Sequence, residues 1–428
     1  MHYKNHFSFL FFAVLAIFLT GCVAVTPLDN ETQVPKIRDL SEYNTIWERI
    51  GAQLTIDTKL SETRVQHRIK WYLKHNKELH IATQRARPYL YFIVKEIEKR
   101  NLPIELSLLP LIESSFKTKA YSSMGAAGLW QFIASTGRNN NLLINAEYDG
   151  RLDVLYATHS ALGYIEKLYS RFNKDLFLTL AAYNAGPLRI ERAISNNVKY
   201  GYPTDYWHLK LPRETRYYIP KLLATIEIIK NPKLYNIQLD QIPNIEVISP
   251  VAVKRRLALK DVARIIKIEE KYLLSLNAGC KFGITPNTKT YSLAIPTNKV
   301  ENFRQNLASF PTARPLDFYK HIVRRGDTLS GIAKTYMTSV SMLKEANNIN
   351  SYLIFPKQVL TIPLKRATPA TEKKEPGIHI VQKGDTFWGI AISNKTTIQR
   401  IMELNDLHNN HVLQPGQKII VQSTQIEL

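Results

Sequence analysis

One octapeptide recurs in this chain with six of its eight residues unchanged. His321-Ile322-Val323-Arg324-Arg325-Gly326-Asp327-Thr328 returns 58 residues later as His379-Ile380-Val381-Gln382-Lys383-Gly384-Asp385-Thr386. Between 321–347 and 379–405, 12 of 27 positions are identical. The C-terminal third is therefore a tandem array rather than one domain. Each copy reads strand, helix, helix, strand. Gly326 turns the chain after an apolar strand, and Asp327 stands where it can cap the next helix. Leu329, Ile332 and Ala333 have helical spacing, Val340, Leu343 and Ala346 mark a second helix, and Val359 to Ile362 returns as a strand. A βααβ unit of about 44 residues has a small core. Neither copy contains a cysteine to staple it.

A chain of 428 residues has room for two or three domains. Residues 41–100 read as helical: Ile46, Trp47, Ile50 and Leu54 recur at three- and four-residue spacing, as do Tyr89, Phe92, Ile93 and Ile97. Residues 101–235 read as helices broken by Gly-rich loops. Residues 236–310 form a mixed connector with apolar stretches at Ile245–Val253 and Tyr291–Ile295. A decayed third copy is expected within 257–296, with Leu274-Ser275-Leu276-Asn277 at the end of its second helix. The two clear copies occupy 319–364 and 378–422, joined by a basic linker over 365–377.

The N-terminus bears on location. Lys4 precedes an apolar run from Phe7 to Leu19, too short for a spanning helix and of the length of a signal segment. Leu19-Thr20-Gly21-Cys22 comes next. These residues resemble the bacterial lipoprotein signal, which implies loss of residues 1–21, acylation of Cys22 and a tether over 22–40. The same resemblance implies, from Val23 after the cysteine, the periplasmic face of the outer membrane. Lys plus Arg number 57 against 36 Asp plus Glu, a net of +21, which favours a polyanionic partner. For a tethered, exported protein without an Arg-rich arm, nucleic acid is not expected, and an anionic envelope polymer is.

Three segments of the helical region carry chemistry. The first, Leu108-Leu109-Pro110-Leu111-Ile112-Glu113-Ser114-Ser115-Phe116, sets a carboxyl among apolar neighbours. Desolvation disfavours its charged form and raises its pKa toward that of a general acid. Pro103 is placed to start a helix. Pro110 is expected inside it, leaving the Leu106 carbonyl without its usual partner. The second, Ser122-Ser123-Met124-Gly125-Ala126-Ala127-Gly128-Leu129-Trp130-Gln131-Phe132, permits close backbone approach and presents Gln131 between two aromatics. The third, Ala181-Ala182-Tyr183-Asn184-Ala185-Gly186, offers a phenol beside a turn.

In this order the three segments resemble the lytic transglycosylase family, whose fold is lysozyme-like. The likeness extends through Leu211-Pro212-Arg213-Glu214-Thr215-Arg216-Tyr217-Tyr218-Ile219-Pro220-Lys221. It implies a mainly α catalytic domain of goose-type lysozyme fold. It makes Glu113 the single acid/base cutting the β-1,4 bond between N-acetylmuramic acid and N-acetylglucosamine, with closure of a 1,6-anhydro ring. Ser122, Gln131, Tyr183 and Asn184 would line the cleft, with Glu214 near it. The C-terminal copies resemble LysM, a small α+β module that binds peptidoglycan glycan strands. Its turn residues here are Gly326, Asp327, Thr328, Gly384, Asp385 and Thr386. Phe355-Pro356-Lys357-Gln358 lacks the glycine of Gln414-Pro415-Gly416-Gln417. Phe387 and Trp388 offer apolar faces to sugar rings.

Two alternatives stand beside this reading. A muramidase would hydrolyse the same bond with a second carboxylate, for which Glu147, Asp149 and Asp153 are available. These read rather as solvated loop or cap residues. A wall-binding scaffold would have no catalysis at all. No cofactor and no metal site is expected, since the histidines form no His-Glu-x-x-His pair. Cys280 reads as a small buried residue. Protein partners leave no signature in the sequence.

Overall fold

The computed structural model describes residues 39–313, 316–349, 351–364, 377–394, 396–407 and 411–421. The signal segment, Cys22, most of the tether and linker residues 365–376 lie outside the described residues. Tyr43–Leu428 form one unit by their internal contacts, and the elements α1 to β6 all belong to it. Among the described residues no helix is long and apolar enough to cross a membrane.

The helical region opens with α1 (Ile46–Gln53), held at its start by a reciprocal capping box of Thr45 and Glu48. Helices α2 (Thr63–Lys74), α3 (Asn76–Ala86) and α4 (Leu90–Glu98) come next. A 3-10 turn, Ile104–Leu108, leads into α5 (Leu109–Ser114). Pro110 thus falls in the first turn of α5, not inside a longer helix, where its missing N–H leaves nothing unpaired. The Leu106 carbonyl, expected to be unpartnered, accepts the Leu109 N–H. Ser115 ends α5 in the left-handed region with φ 51°.

Helices α6 (Ala134–Asn139), α7 (Val154–Arg171), α8 (Leu176–Ala185), α9 (Pro187–Lys199) and α10 (Arg213–Lys230) complete the region. The apolar stripe of α10 (Ile219, Leu222, Leu223, Ile226) is wholly buried. This helix packs on α2, α5 and α8, so its side chains at 218 and 221 come up against α5.

Among the described residues, three βααβ units succeed the helices. The first runs from β1 (Ile248–Val253) through α11 (Leu259–Ile266) and α12 (Glu270–Leu276) to β2 (Tyr291–Pro296), with Ile248 opposite Pro296. It begins ahead of the expected 257. Its first strand, with Pro250 inside and the pattern Ile-Ser-Pro-Val-Ala-Val, carries no glycine-aspartate turn to mark where it ends. After α13 (Val300–Gln305) comes the second unit: β3 (Asp317–Ile322), α14 (Leu329–Thr335), α15 (Val340–Asn347) and β4 (Val359–Leu364). The third is β5 (Ile378–Ile380), α16 (Phe387–Ser393), α17 (Ile398–Leu404) and β6 (Lys418–Ile420).

One device recurs in all three. Asn277 donates to the Leu273 and Ala294 carbonyls and accepts the Ala294 N–H. Asn347 does the same with Leu343 and Thr361, and Asn405 with Ile401 and Ile420. Each asparagine clamps the end of the second helix to the returning strand. Helix capping differs from expectation. Thr328 and Thr386, not the aspartates, cap α14 and α16 by accepting from Gly331 and Gly389. Asp327 and Asp385 instead close the preceding turn, accepting the N–H of Arg324 and Gln382 and pairing with His321 and His379 at 2.9 and 2.8 Å.

Candidate active site

Glu113 sits on the last turn of α5, with Leu111 and Ile112 buried beside it and its own side chain partly open. Its Oε1 accepts a hydrogen bond of 2.5 Å from the Tyr218 hydroxyl on α10. One turn further along α10, Lys221 donates to the Ile112 carbonyl. Burial pushes the Glu113 pKa up to about 7, against the opposing pull of the Tyr218 hydrogen bond and the Lys221 charge. The Glu214 charge raises it further. The same burial lowers Lys221 and holds the Tyr218 and Tyr183 hydroxyls protonated. The Glu113 charge also acts on both tyrosines, so the four groups share one electrostatic site. A carboxyl poised near neutrality can give a proton and take one back.

The glycine-rich loop is fastened around this site by its carbonyls. Ser114, next to Glu113, donates to Leu129 O at 3.1 Å, and Tyr183 donates to Trp130 O at 2.7 Å. Trp130 is fully buried with its indole N–H on Thr158. Gly128 lies against the backbone of Arg151, where a Cβ would come within 1.8 Å of a carbonyl oxygen. Gln131 takes φ 49°, and its side-chain amide donates to Gly128 O at 2.8 Å. Ser122 is exposed and accepts the Ala126 N–H, closing the turn ahead of the loop. Tyr183 is thus brought to Glu113, whereas the side-chain bonds of Ser122 and Gln131 are local to the loop. Asn184 accepts from Thr215 at 2.8 Å and donates to Glu214 at 3.3 Å, which ties the end of α8 to the start of α10.

The three other carboxylates are engaged elsewhere. Asp153 caps α7, as a cap reading expects, but it is buried rather than solvated and also accepts from Tyr148 (3.0 Å) and Tyr291 (2.6 Å). Asp149, expected at the surface, is fully buried in a two-pronged pair with Arg151 at 3.0 and 2.7 Å. Glu147 pairs with Arg256 at 3.0 Å. Cys280 is buried.

In the terminal units Gly326 and Gly384 turn at φ 93° and 95° and are exposed. Phe355 is 65% exposed, and Trp388 is open beneath Lys334, 5.7 Å from the ring centre. Phe387 instead joins the apolar core of its unit. Tyr218 and Lys221 escaped sequence reasoning. Their segment was part of the resemblance, but a tyrosine on an otherwise apolar helical stripe reads as core.

Known proteins share this organisation. Residues 91–204 match the Transglycosylase SLT domain, 247–312 the LysM-like domain of the lytic transglycosylase MltD, and 321–363 and 379–422 the LysM domain. The membrane-bound lytic murein transglycosylase D of Escherichia coli K12 is 35% identical over 403 residues, 92% of this chain and 87% of that one. The same enzyme from Escherichia coli O6:H1 gives the same figures. The N-acetylmuramoyl-L-alanine amidase sle1 of Staphylococcus epidermidis is 39% identical over 101 residues, 24% of this chain and 31% of its own.

Proposed function

The chain belongs to the lytic murein transglycosylase D family, and from that membership we propose that Glu113 alone carries a lytic cleavage of peptidoglycan. The protonated Glu113 gives its proton to the glycosidic oxygen between N-acetylmuramic acid and N-acetylglucosamine as the C1–O bond breaks. The muramic C6 hydroxyl then bonds to C1, and its proton passes to the Glu113 carboxylate. The ring closes as a 1,6-anhydro sugar, no water is consumed, and the acid is restored. Attack from within the same sugar has the advantage of proximity. Tyr218 and Lys221 stabilise the carboxylate between the two transfers, and burial favours the acid before the first.

The observation that carries this reading is a carboxyl set beside buried Leu111 and Ile112 and bonded by the Tyr218 hydroxyl, while Glu147, Asp149 and Asp153 are spoken for. Tyr183 and Gln131 line the cleft and receive the sugar acetamido group. Ser122, Asn184 and Glu214 frame it. The turns at Gly326, Asp327, Thr328 and Gly384, Asp385, Thr386 present the terminal units to the same glycan. Cys22 bears the lipid anchor, at the periplasmic face of the outer membrane. The division of labour runs along the chain: signal 1–21, tether 22–40, helical region 41–100, catalytic domain 101–235, a connector over 236–310 that contains the first βααβ unit, and two glycan-binding modules.

One observation keeps hydrolysis as a second reading: exposed Glu214, whose charge reaches Glu113, is a carboxylate that could activate water. Product mass separates the two, because an anhydro end is lighter by one water than a reducing end. The Glu113→Gln variant should bind sacculi and release no fragments. Fragment release at the wild-type rate would overturn the assignment.

A further inference from the structure

The first βααβ unit has the trace of the terminal pair, yet the turn they expose is turned inward here. After β1 the chain reads Lys254-Arg255-Arg256-Leu257-Ala258, with no glycine-aspartate-threonine. Arg256 pairs with Glu147 of the catalytic domain, Arg255 donates to Leu307 O, and the Leu257 N–H is taken by Thr285 at 2.9 Å. The next stretch of the unit lies along 147–149. The Asp149 N–H donates to Gly279 O at 3.0 Å, and the Lys281 N–H to Glu147 O at 3.1 Å. Gly279 fits there because it has no side chain. A Cβ would sit 2.9 Å from the Asp153 Cβ and the Tyr148 ring, and 3.0 Å from Asp149 O.

From this contact a chain of buried groups runs to the cleft. Asp149 fixes the Arg151 guanidinium along its Nε–Nη2 edge by two hydrogen bonds. Arg151 Nη1 then donates to Gly125 O at 2.8 Å and Phe132 O at 3.3 Å, the two ends of the loop that carries Gln131. Gln131 sits in the left-handed region, which strains a non-glycine residue and persists only where the surroundings impose it.

We propose that Arg151 is a positioning residue which, buttressed through Asp149 by the unit 248–296, holds Gln131 toward the glycan, and that this unit serves as a buttress behind the catalytic loop instead of a glycan-binding module. The proposal rests on the reading that Gln131 contacts substrate.

The test is a double-mutant cycle in the full-length chain, with Arg151→Lys and Gln131→Ala alone and together, assayed on soluble glycan strands. Lysine keeps the charge and loses the fork. Arg151→Lys should raise KM about tenfold with kcat within about threefold, and should add less than about twofold in the Gln131→Ala background. The alkaline limb of the pH profile, set by Glu113, should not move. A wild-type KM in folded Arg151→Lys, a Gln131→Ala variant without effect, multiplicative losses or a shifted limb would each overturn the proposal. If Arg151→Lys does not fold, Gly279→Ala carries the same cycle from the far side of the contact. There a threefold or so rise in KM that vanishes in Gln131→Ala supports the proposal, and an unchanged KM sinks it. Failure of the lytic reading appears separately, as reducing termini from the wild-type enzyme, and the KM cycle still reports on positioning in that event.

Discussion

The βααβ unit at 248–296 and the two that come after it share a trace and an asparagine clamp, but they are bound to the rest of the molecule in opposite ways. Ile248, Leu276 and Ala294 of the first unit lie in the core of the helical region, and Tyr148 of the helical region lies in the core of the unit. Tyr291 bonds the α7 cap, Asp153. The terminal units keep cores of their own, of seven and six buried residues among those described. Among the described residues the second touches the helical region through polar contacts such as Lys119–Glu345 and Tyr121–Asn348, both 3.3 Å. A shared apolar core makes a unit part of the scaffold, whereas a separate core and a free turn leave it able to bind. The trace alone decides neither.

Removal of both terminal units is the severest test of that contrast. A chain ending at residue 313 should cleave soluble glycan strands within about threefold of the full-length rate. Its binding to insoluble sacculi should fall about a hundredfold, as tethered weak sites are lost. A comparable loss in cleavage would mean that the terminal units are scaffold as well.

The asparagine clamps sharpen the comparison next. Each makes three hydrogen bonds at a helix end, so substitution by alanine should cost its unit about 2–3 kcal/mol. By calorimetry, Asn277→Ala should lower the main transition, the one that unfolds the catalytic core. Asn347→Ala and Asn405→Ala should leave that transition in place and weaken only sacculus binding. Equal effects of the three on the main transition would break the distinction.

Acid and base should separate the regions too. Cleavage requires protonated Glu113, so the rate should fall as pH rises through about 7. Loss of the Tyr218 hydrogen bond removes support for the carboxylate and raises its pKa. Tyr218→Phe should therefore move the alkaline limb upward, by about one pH unit. The turns of the terminal units respond at the other end of the scale. Backbone N–H groups and the paired histidines hold Asp327 and Asp385 below the usual 3.8. A lowered carboxylate pKa stabilises the fold at neutral pH and is lost only as pH falls through the lowered value. Sacculus binding should thus stay level while cleavage fades, and parallel loss between pH 6 and 8 would refute the assignment of the limb to Glu113.

The repeat, the three chemical segments and the apolar setting of Glu113 were legible because each is local: a periodicity, a turn residue, a carboxyl inside an apolar run. What stayed hidden depends on distance. Tyr218 meets Glu113 across 105 residues, and only the packing of α10 on α5 brings it there. Asp149 and Arg151, two apart in a loop, look like solvated charges until the unit 248–296 closes over them. The first βααβ unit was only half readable for a related reason. Its turn had exchanged the glycine-aspartate-threonine signature for arginines, of which Arg256 pairs with the catalytic domain, while Asn277 at the second helix end was retained.

The smallest effect concerns the one departure between the two terminal turns. Where the third unit has Gly416 at φ 88°, the second has Lys357 at φ 71°. The turns nonetheless close alike. Lys357 N–H donates to Val323 O at 2.8 Å and Gly416 N–H to Val381 O at 2.7 Å, and Gln358 and Gln417 accept from Phe355 and Gln414 through their side chains. The missing glycine has therefore not opened the loop; the lysine bears a left-handed backbone that glycine adopts without strain. Lys357→Gly should stabilise its unit by somewhat under about 1 kcal/mol, since glycine's extra freedom when unfolded gives back part of the relief. Gly416→Lys should destabilise its unit by about 1 kcal/mol through backbone strain alone, because a Cβ there meets nothing within 4 Å. Calorimetry of the two exchanges reads both signs, and a destabilised Lys357→Gly variant would show that the lysine side chain, not the turn it completes, is what the second unit retains.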